Sequence, residues 1–173
     1  MNAEFDTALG LIELAREHHM ASGNTYEALR TNIGRMGVLD RLGRYQDALD
    51  AGDQVLAYVS ALHVNEPASD PQQMMNLAAR VHQNRGVCFE QMGRYADAVA
   101  AYDVAEQNYR SLNTSDAAES IGDVINNRGV ILLLLGRGRE ALAAFEAAAQ
   151  VYSQVNDVIK NAQTLINIGD AYV

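Results

Sequence analysis

The side chains that could do chemistry are few, and their spacing argues against most of it. There are four histidines in 173 residues. His18 and His19 are adjacent on a helical stretch, so their rings point in different directions and cannot share a metal; an imidazolium near a helix C-terminus is favourable in its own right. His63 and His82 have no second His or Cys at ligand spacing. Cys88 has no neighbouring His to make it a nucleophile and is expected to face a core. No Walker-type loop, Gly-x-Ser-x-Gly motif or dinucleotide fingerprint is present, and Asp47, Asp50 and Asp97 read as solvated carboxylates. The chain is therefore expected to be no enzyme, to hold no metal and to need no cofactor.

What does recur is hydrogen-bonding capacity. Asn84, Asn127 and Asn167 fall at one equivalent position along the chain, as do Arg35, Arg85 and Arg128. An amide side chain both donates and accepts, so a row of them could hold the backbone of an extended or helical peptide whatever its sequence. The alternative is that the amides brace neighbouring helices. The arginines could present a cationic row to an acidic peptide. Equally, each stem could pack along a wall while its head pairs with nearby acids.

These rows must be carried by helices. Gly86, Ala98 and Tyr102 are matched by Gly129, Ala141 and Phe145, the same spacing repeated, and a fixed internal period marks a repeat architecture. Asn24 with Glu27 reads as an N-cap and capping-box partner, and Gly43 as the left-handed residue that ends the helix it starts. Asp70 caps a helix with Pro71 in its first turn. Gly93 and Gly136 break two further hairpins, Asp116 with Glu119 is read as a helix start, and Asn156 as the cap of a last helix. The loop between the first two hairpins is placed at Val64–Asp70, around Pro67. The reading is one all-α superhelix: an orphan helix at 4–22, hairpins at 24–64, 70–112 and 115–155, and half a hairpin at 156–173. A hairpin cannot bury its apolar face alone, so stacked neighbours must build a continuous core.

Composition narrows the partners. Hydrophobic residues make up 49% of the chain, which excludes disorder, and a formal net charge of −9 argues against nucleic acid and against an anionic membrane surface. The longest apolar run, Val130 to Leu135, is too short to cross a bilayer. One cysteine fits a reducing compartment, so a cytoplasmic protein is expected.

The pattern resembles the tetratricopeptide repeat family. His82, Arg85, Gly86 and Phe89, then Ala98 and Tyr102, follow that motif; so do Ile125, Arg128, Gly129 and Leu132, then Ala141 and Phe145. Leu165, Ile168, Gly169 and Tyr172 match its first half, and Ala8, Ile12 and Ala15 its second. The first hairpin departs from it, with Met36 where Gly belongs and Gly52 where an aromatic belongs. The period also exceeds the family's usual length of about 34 residues, as in a longer-helix, signalling-scaffold subgroup.

The resemblance implies that the first helix of each pair lines a concave groove. Carried over, the groove positions are Arg80, Gln83, Asn84, Val87 and Gln91 in one repeat and Asp123, Asn126, Asn127, Val130 and Leu134 in the next. Gln163, Ile166, Asn167 and Asp170 follow in the last helix. Leu134 is expected to reach the groove as an apolar anchor, or the run around it to be core. The groove-side helices carry nearly balanced charge, while the excess acid lies elsewhere, which suits neutral or acidic peptides. The resemblance thus implies a protein- or peptide-binding scaffold, expected to be bacterial and a piece of a larger signalling or regulatory protein. The rival reading is a structural module that self-associates through its end helices.

Overall fold

The computed structural model describes residues 2–65, 70–112 and 114–172. The expected loop residues Glu66 and Pro67, and the side chains of His63 and Asp116, lie outside what it describes. The helices are α1 (Asn2–Ala21), α2 (Thr25–Arg41), α3 (Tyr45–Asn65), α4 (Pro71–Gln91), α5 (Tyr95–Leu112), α6 (Ser115–Leu134), α7 (Gly138–Gln154) and α8 (Val158–Ala171). Among the described residues there is no strand, and each helix packs on the next, giving an all-α solenoid. No described helix is long and apolar enough to cross a membrane.

The hairpins share one way of stopping. Gly43 and Gly93, both with φ 70°, and Gly136 with φ 72° supply the left-handed residue. In each case the following N–H reaches back five residues: Arg44 to the Leu39 carbonyl at 2.9 Å, Arg94 to Phe89 at 2.8 Å and Arg137 to Leu132 at 2.9 Å. The same arginine then starts the next helix by pairing with an acid three residues on, Asp47, Asp97 or Glu140. At the end of α7 the left-handed residue is Asn156, with φ 59°. It closes α7 and so cannot cap α8; Asp157 does that, accepting from the Lys160 N–H at 2.9 Å. The cap of α6, by contrast, falls earlier than expected, on Thr114, whose hydroxyl accepts from the Ala117 N–H. Asn24 and Asp70 cap α2 and α4 as expected.

The two helices of a hairpin are held by a ring laid on a bare Cα. A methyl group on Gly86 would lie 2.6 Å from Tyr102 Cδ1, and one on Gly129 2.6 Å from Phe145 Cε1. The aromatic therefore packs back into its own hairpin. A second contact of the kind sits two turns away, where Gly122 faces Tyr152 at 2.6 Å by the same measure. The first hairpin keeps the arrangement and reverses its hand: Met36 on α2 supplies the bulk, and a methyl on Gly52 of α3 would lie 2.8 Å from Met36 Cε. Tyr102, Phe145, Met36 and Ala98 are fully buried.

One acidic pair is caught where α2, α4 and α5 meet. Burial pushes the Asp40 carboxyl above its ordinary value, against the pull of Cys88 and Arg41. Burial likewise raises Glu90, which accepts a long hydrogen bond from the Tyr102 hydroxyl. Burial first, then the neighbouring Asp40 charge, pushes the Cys88 thiol up to about 12, so the cysteine is inert.

Two predictions follow from this packing. Gly86→Ala should cost roughly 1–3 kcal/mol through overpacking against Tyr102, and Ala98→Leu a similar amount, whereas Gly10→Ala, with open space around it, should gain up to about 1 kcal/mol of helix propensity. Urea denaturation of the three variants checks the contrast, and equal effects at Gly86 and Gly10 would refute the contact. The second concerns Asp40. Because its folded carboxyl holds a proton more tightly than the unfolded one, its contribution is complete below the ordinary carboxylate range and is lost as pH rises through the raised value. Asp40→Asn should therefore stabilise the protein near neutral pH and have little effect in acid; a stabilisation that does not change with pH would contradict the assigned burial.

Candidate functional site

The even-numbered helices form the inner side of the stack. α2 touches α4 and α6 touches α8, while among the described residues no pair of odd-numbered helices makes comparable contact. Two hollows open along this inner side. The larger, of about 490 Å³, is bounded by Ile33, Gly34 and Gly37 of α2, by Asn76, Arg80, Gln83 and Asn84 of α4, and by Tyr109 and Ser120. The smaller, of about 210 Å³, lies between α6 and α8 and is lined by Gln83, Asp123, Asn126, Asn127, Tyr152, Lys160, Gln163 and Thr164.

The larger hollow has an open floor on one side. Gly34 and Gly37 have nothing within 4 Å of where a Cβ would stand, so α2 offers bare backbone there. Across from it, Gln83 Oε1 accepts from the Tyr109 hydroxyl at 2.7 Å, and burial raises that phenol to about 12. Arg80 has no ion-pair partner among the described residues, although it lies close enough to Tyr109 to act on it electrostatically. Asn84 has no hydrogen-bond partner among them either. An unpaired guanidinium and a free amide thus face one cavity.

The smaller hollow is already wired. Lys160 Nζ reaches Glu119 at 2.6 Å and Asp123 at 2.8 Å, and Asp123 also accepts from the Tyr152 hydroxyl at 2.8 Å. Burial first and that carboxylate second push Tyr152 well above the ordinary phenol range. Asn126 Oδ1 accepts from Asn167 Nδ2 at 3.0 Å and from the Thr164 hydroxyl at 3.3 Å.

The row of amides therefore divides. Asn84 is free, Asn127 lies against the Tyr102 hydroxyl, and Asn167 braces α8 on α6. Arg80, Gln83, Asn84, Asn126, Asn127 and Gln163 line the two hollows; Val87 and Val130 are half-buried and line neither. Leu134 is 58% exposed in the last turn of α6 and likewise lines neither. Sequence reasoning did not assign Tyr109 and Tyr152 to this face, although both lie seven residues beyond the hairpin aromatic, a spacing that repeats in the two hairpins.

The arginine row points the other way. Arg85 pairs with Asp53 of α3 at 2.9 Å, and Arg128 with Asp103 and Glu106 of α5 at 2.5 and 2.7 Å. Arg35 helps hold the Glu13 carboxyl of α1 below its usual value, after the larger effect of the hydrogen bond from Arg16. Arg85 and Arg128 thus tie their helices to the odd helix of the preceding repeat, and of their acids Asp53 and Asp103 each follow the hairpin-contact position by one residue. Their heads are spent on stitching, which removes them from the groove-side charge. Arg128 also floors a cleft of about 360 Å³ between α5 and α7, on the outer side.

The class of protein these features define is a TPR-like helical repeat. No protein-family model and no curated protein matches the chain. Among solved structures it is similar to BtubC (BKLC) from P. vanneervenii, with a TM-score of 0.74 at 14% identity over 97% of this chain. The chain spans 65% of the length of that protein. It is also similar to a TPR-like protein from Chlorobium tepidum, with a TM-score of 0.62 at 15% identity, covering 84% of this chain and 94% of that one. At these identities the likeness is one of fold.

The stitching has a measurable order. Arg128→Ala breaks two ion pairs, freeing Asp103 and leaving Glu106, whose side chain is only 13% exposed, with Arg110 of its own helix, whereas Arg85→Ala breaks one pair to an Asp53 that is 61% exposed. The first should cost about 1–3 kcal/mol and the second about 1 kcal/mol or less. Thermal denaturation of both variants checks the ranking, and the reverse order would refute it.

Proposed function

We propose that the chain is a protein- or peptide-binding scaffold whose inner face takes an acidic segment, and that it is not an enzyme. One observation carries this: the hollow of about 490 Å³ holds Arg80, which has no ion-pair partner among the described residues, beside the donors Asn76 and Asn84. Hydrogen bonds to a charged partner are roughly twice as strong as neutral ones. A carboxylate entering the hollow would meet Arg80, while Asn84 and Gln83 engage the backbone that carries it. The bare wall of Gly34 and Gly37 lets that backbone approach α2. The second hollow, with Lys160 already paired, adds the amides Asn127 and Gln163 to the same track. The similarity to a TPR-like protein supports the scaffold reading at the level of fold. The net charge of −9 speaks against nucleic acid as the partner, and the single, buried Cys88 accords with a cytoplasmic setting.

The test is a labelled random-sequence peptide library sorted by net charge, scored by fluorescence anisotropy against the whole chain. Acidic peptides should be selected, with affinity falling as salt rises. Arg80→Gln should weaken them about tenfold, near 1.4 kcal/mol. Gly37→Leu, which fills open space and leaves folding intact, should abolish binding. Selection that ignores peptide charge, or binding that survives Gly37→Leu, would overturn the assignment.

A further inference from the structure

The solenoid carries two halves of one hairpin at its opposite ends. On α6 the strip that meets α7 is Gly122, Ile125, Gly129 and Leu132, of which the two glycines lie under Tyr152 and Phe145. Ile125 and Leu132 are buried in the same cluster as Phe145 and Tyr152. Forty residues further on, α8 repeats the strip as Ala162, Leu165, Gly169 and Tyr172. Among the described residues nothing covers it: Leu165 is 56% and Tyr172 72% exposed, and Gly169 has nothing within 4 Å of a Cβ position.

The complementary strip lies on α1. In α5, the face set into its hairpin is Ala98, Ala101, Tyr102 and Ala105, all buried. Its counterparts on α1 are Ala8, Leu11, Ile12 and Ala15. Glu13 follows Ile12 as Asp103 follows Tyr102, and Arg35 of the next helix acts on its charge behind the larger effect of Arg16. Leu11 is 63% exposed, and Leu14 beside it 64%. Neither strip itself contains a charged residue.

We infer that α8 of one copy takes α1 of a second copy as its hairpin partner, with Ile12 of the second copy seated on Gly169. The contact joins unlike surfaces, so it propagates and does not close on a twofold axis. One helix pair is small beside the roughly 1,200–2,000 Å² of a stable interface, so the assembly is reversible and depends on concentration. It uses no residue of the two inner hollows, and its failure would leave the peptide-binding reading standing.

The experiment is sedimentation velocity with multi-angle light scattering on the whole chain, from micromolar to near-millimolar concentration. The weight-average mass should climb with concentration without stopping at the dimer. Gly169→Tyr blocks the α8 end and Leu11→Lys the α1 end; both sites are open in the single chain, so both variants should fold. Each alone should stay at the monomer mass, and an equimolar mixture should reach the dimer mass and go no further, because one live end of each kind remains. A wild-type chain that stays monomeric throughout overturns the proposal. So does a dimer that survives either variant, or a mixture of the two that stays monomeric while the wild type assembles.

Discussion

A ring against a bare Cα sets the geometry on which the other features depend. Where Tyr102 lies on Gly86 and Phe145 on Gly129, the two helices of a hairpin come closer than any side chain on the glycine would allow. Small residues at a helix crossing permit axes at the short end of the usual range of about 8–10 Å. Ala98 and Ala141, fully buried one turn before the ring, keep the other helix equally slim. The first hairpin shows that the constraint is one of volume and not of residue identity. Met36 and Gly52 exchange the large and small partners across the same crossing, and the helices still pack.

Between hairpins the fastening is of another kind. Rings hold each pair from within, while arginine on an even helix reaches an acid on the odd helix before it. Such a bond suits a surface that is only partly covered. The Arg128 stem packs at a wall, its head stays near water, and the cost of desolvating it is shared with Asp103 and Glu106. The same choice sorts the charges. With Arg85 and Arg128 committed to α3 and α5, Arg80 is left facing the inner hollow.

How much of this could be read from the residues depended on how local the cause was. Gly86, Ala98 and Tyr102 declare a hairpin because their contacts are made within one repeat and recur with it. Gly43, Gly93 and Gly136 declare the turns because only a left-handed residue satisfies the last carbonyls. Asn156 misled the reading by one residue, since asparagine serves both as cap and as left-handed stop, and the choice between them was decided by Asp157 alongside. The direction of Arg85 and Arg128 was not legible, because it depends on an acid 32 or 25 residues away on another helix. The larger hollow was hidden for the opposite reason: Gly34 and Gly37 form its wall by having no side chain.

The long period ties these observations together. A hairpin of about 34 residues has room for one ring-on-glycine crossing. Here α6 runs for 20 residues and α7 for 17, which admits a second, with Tyr152 over Gly122 two turns from Phe145 over Gly129. In the hairpin before it, Tyr109 stands at the matching position. The added layer does more than lengthen the core, because a tyrosine there spans from the odd helix through to the inner side, where its hydroxyl meets Gln83 or Asp123. A phenylalanine in that layer would leave the carboxylate of Asp123 and the amide of Gln83 without that partner. The extra turns therefore fix the polar groups that border both hollows, and the length of the repeat, which first looks like a departure in spacing, is what furnishes the inner face with its chemistry.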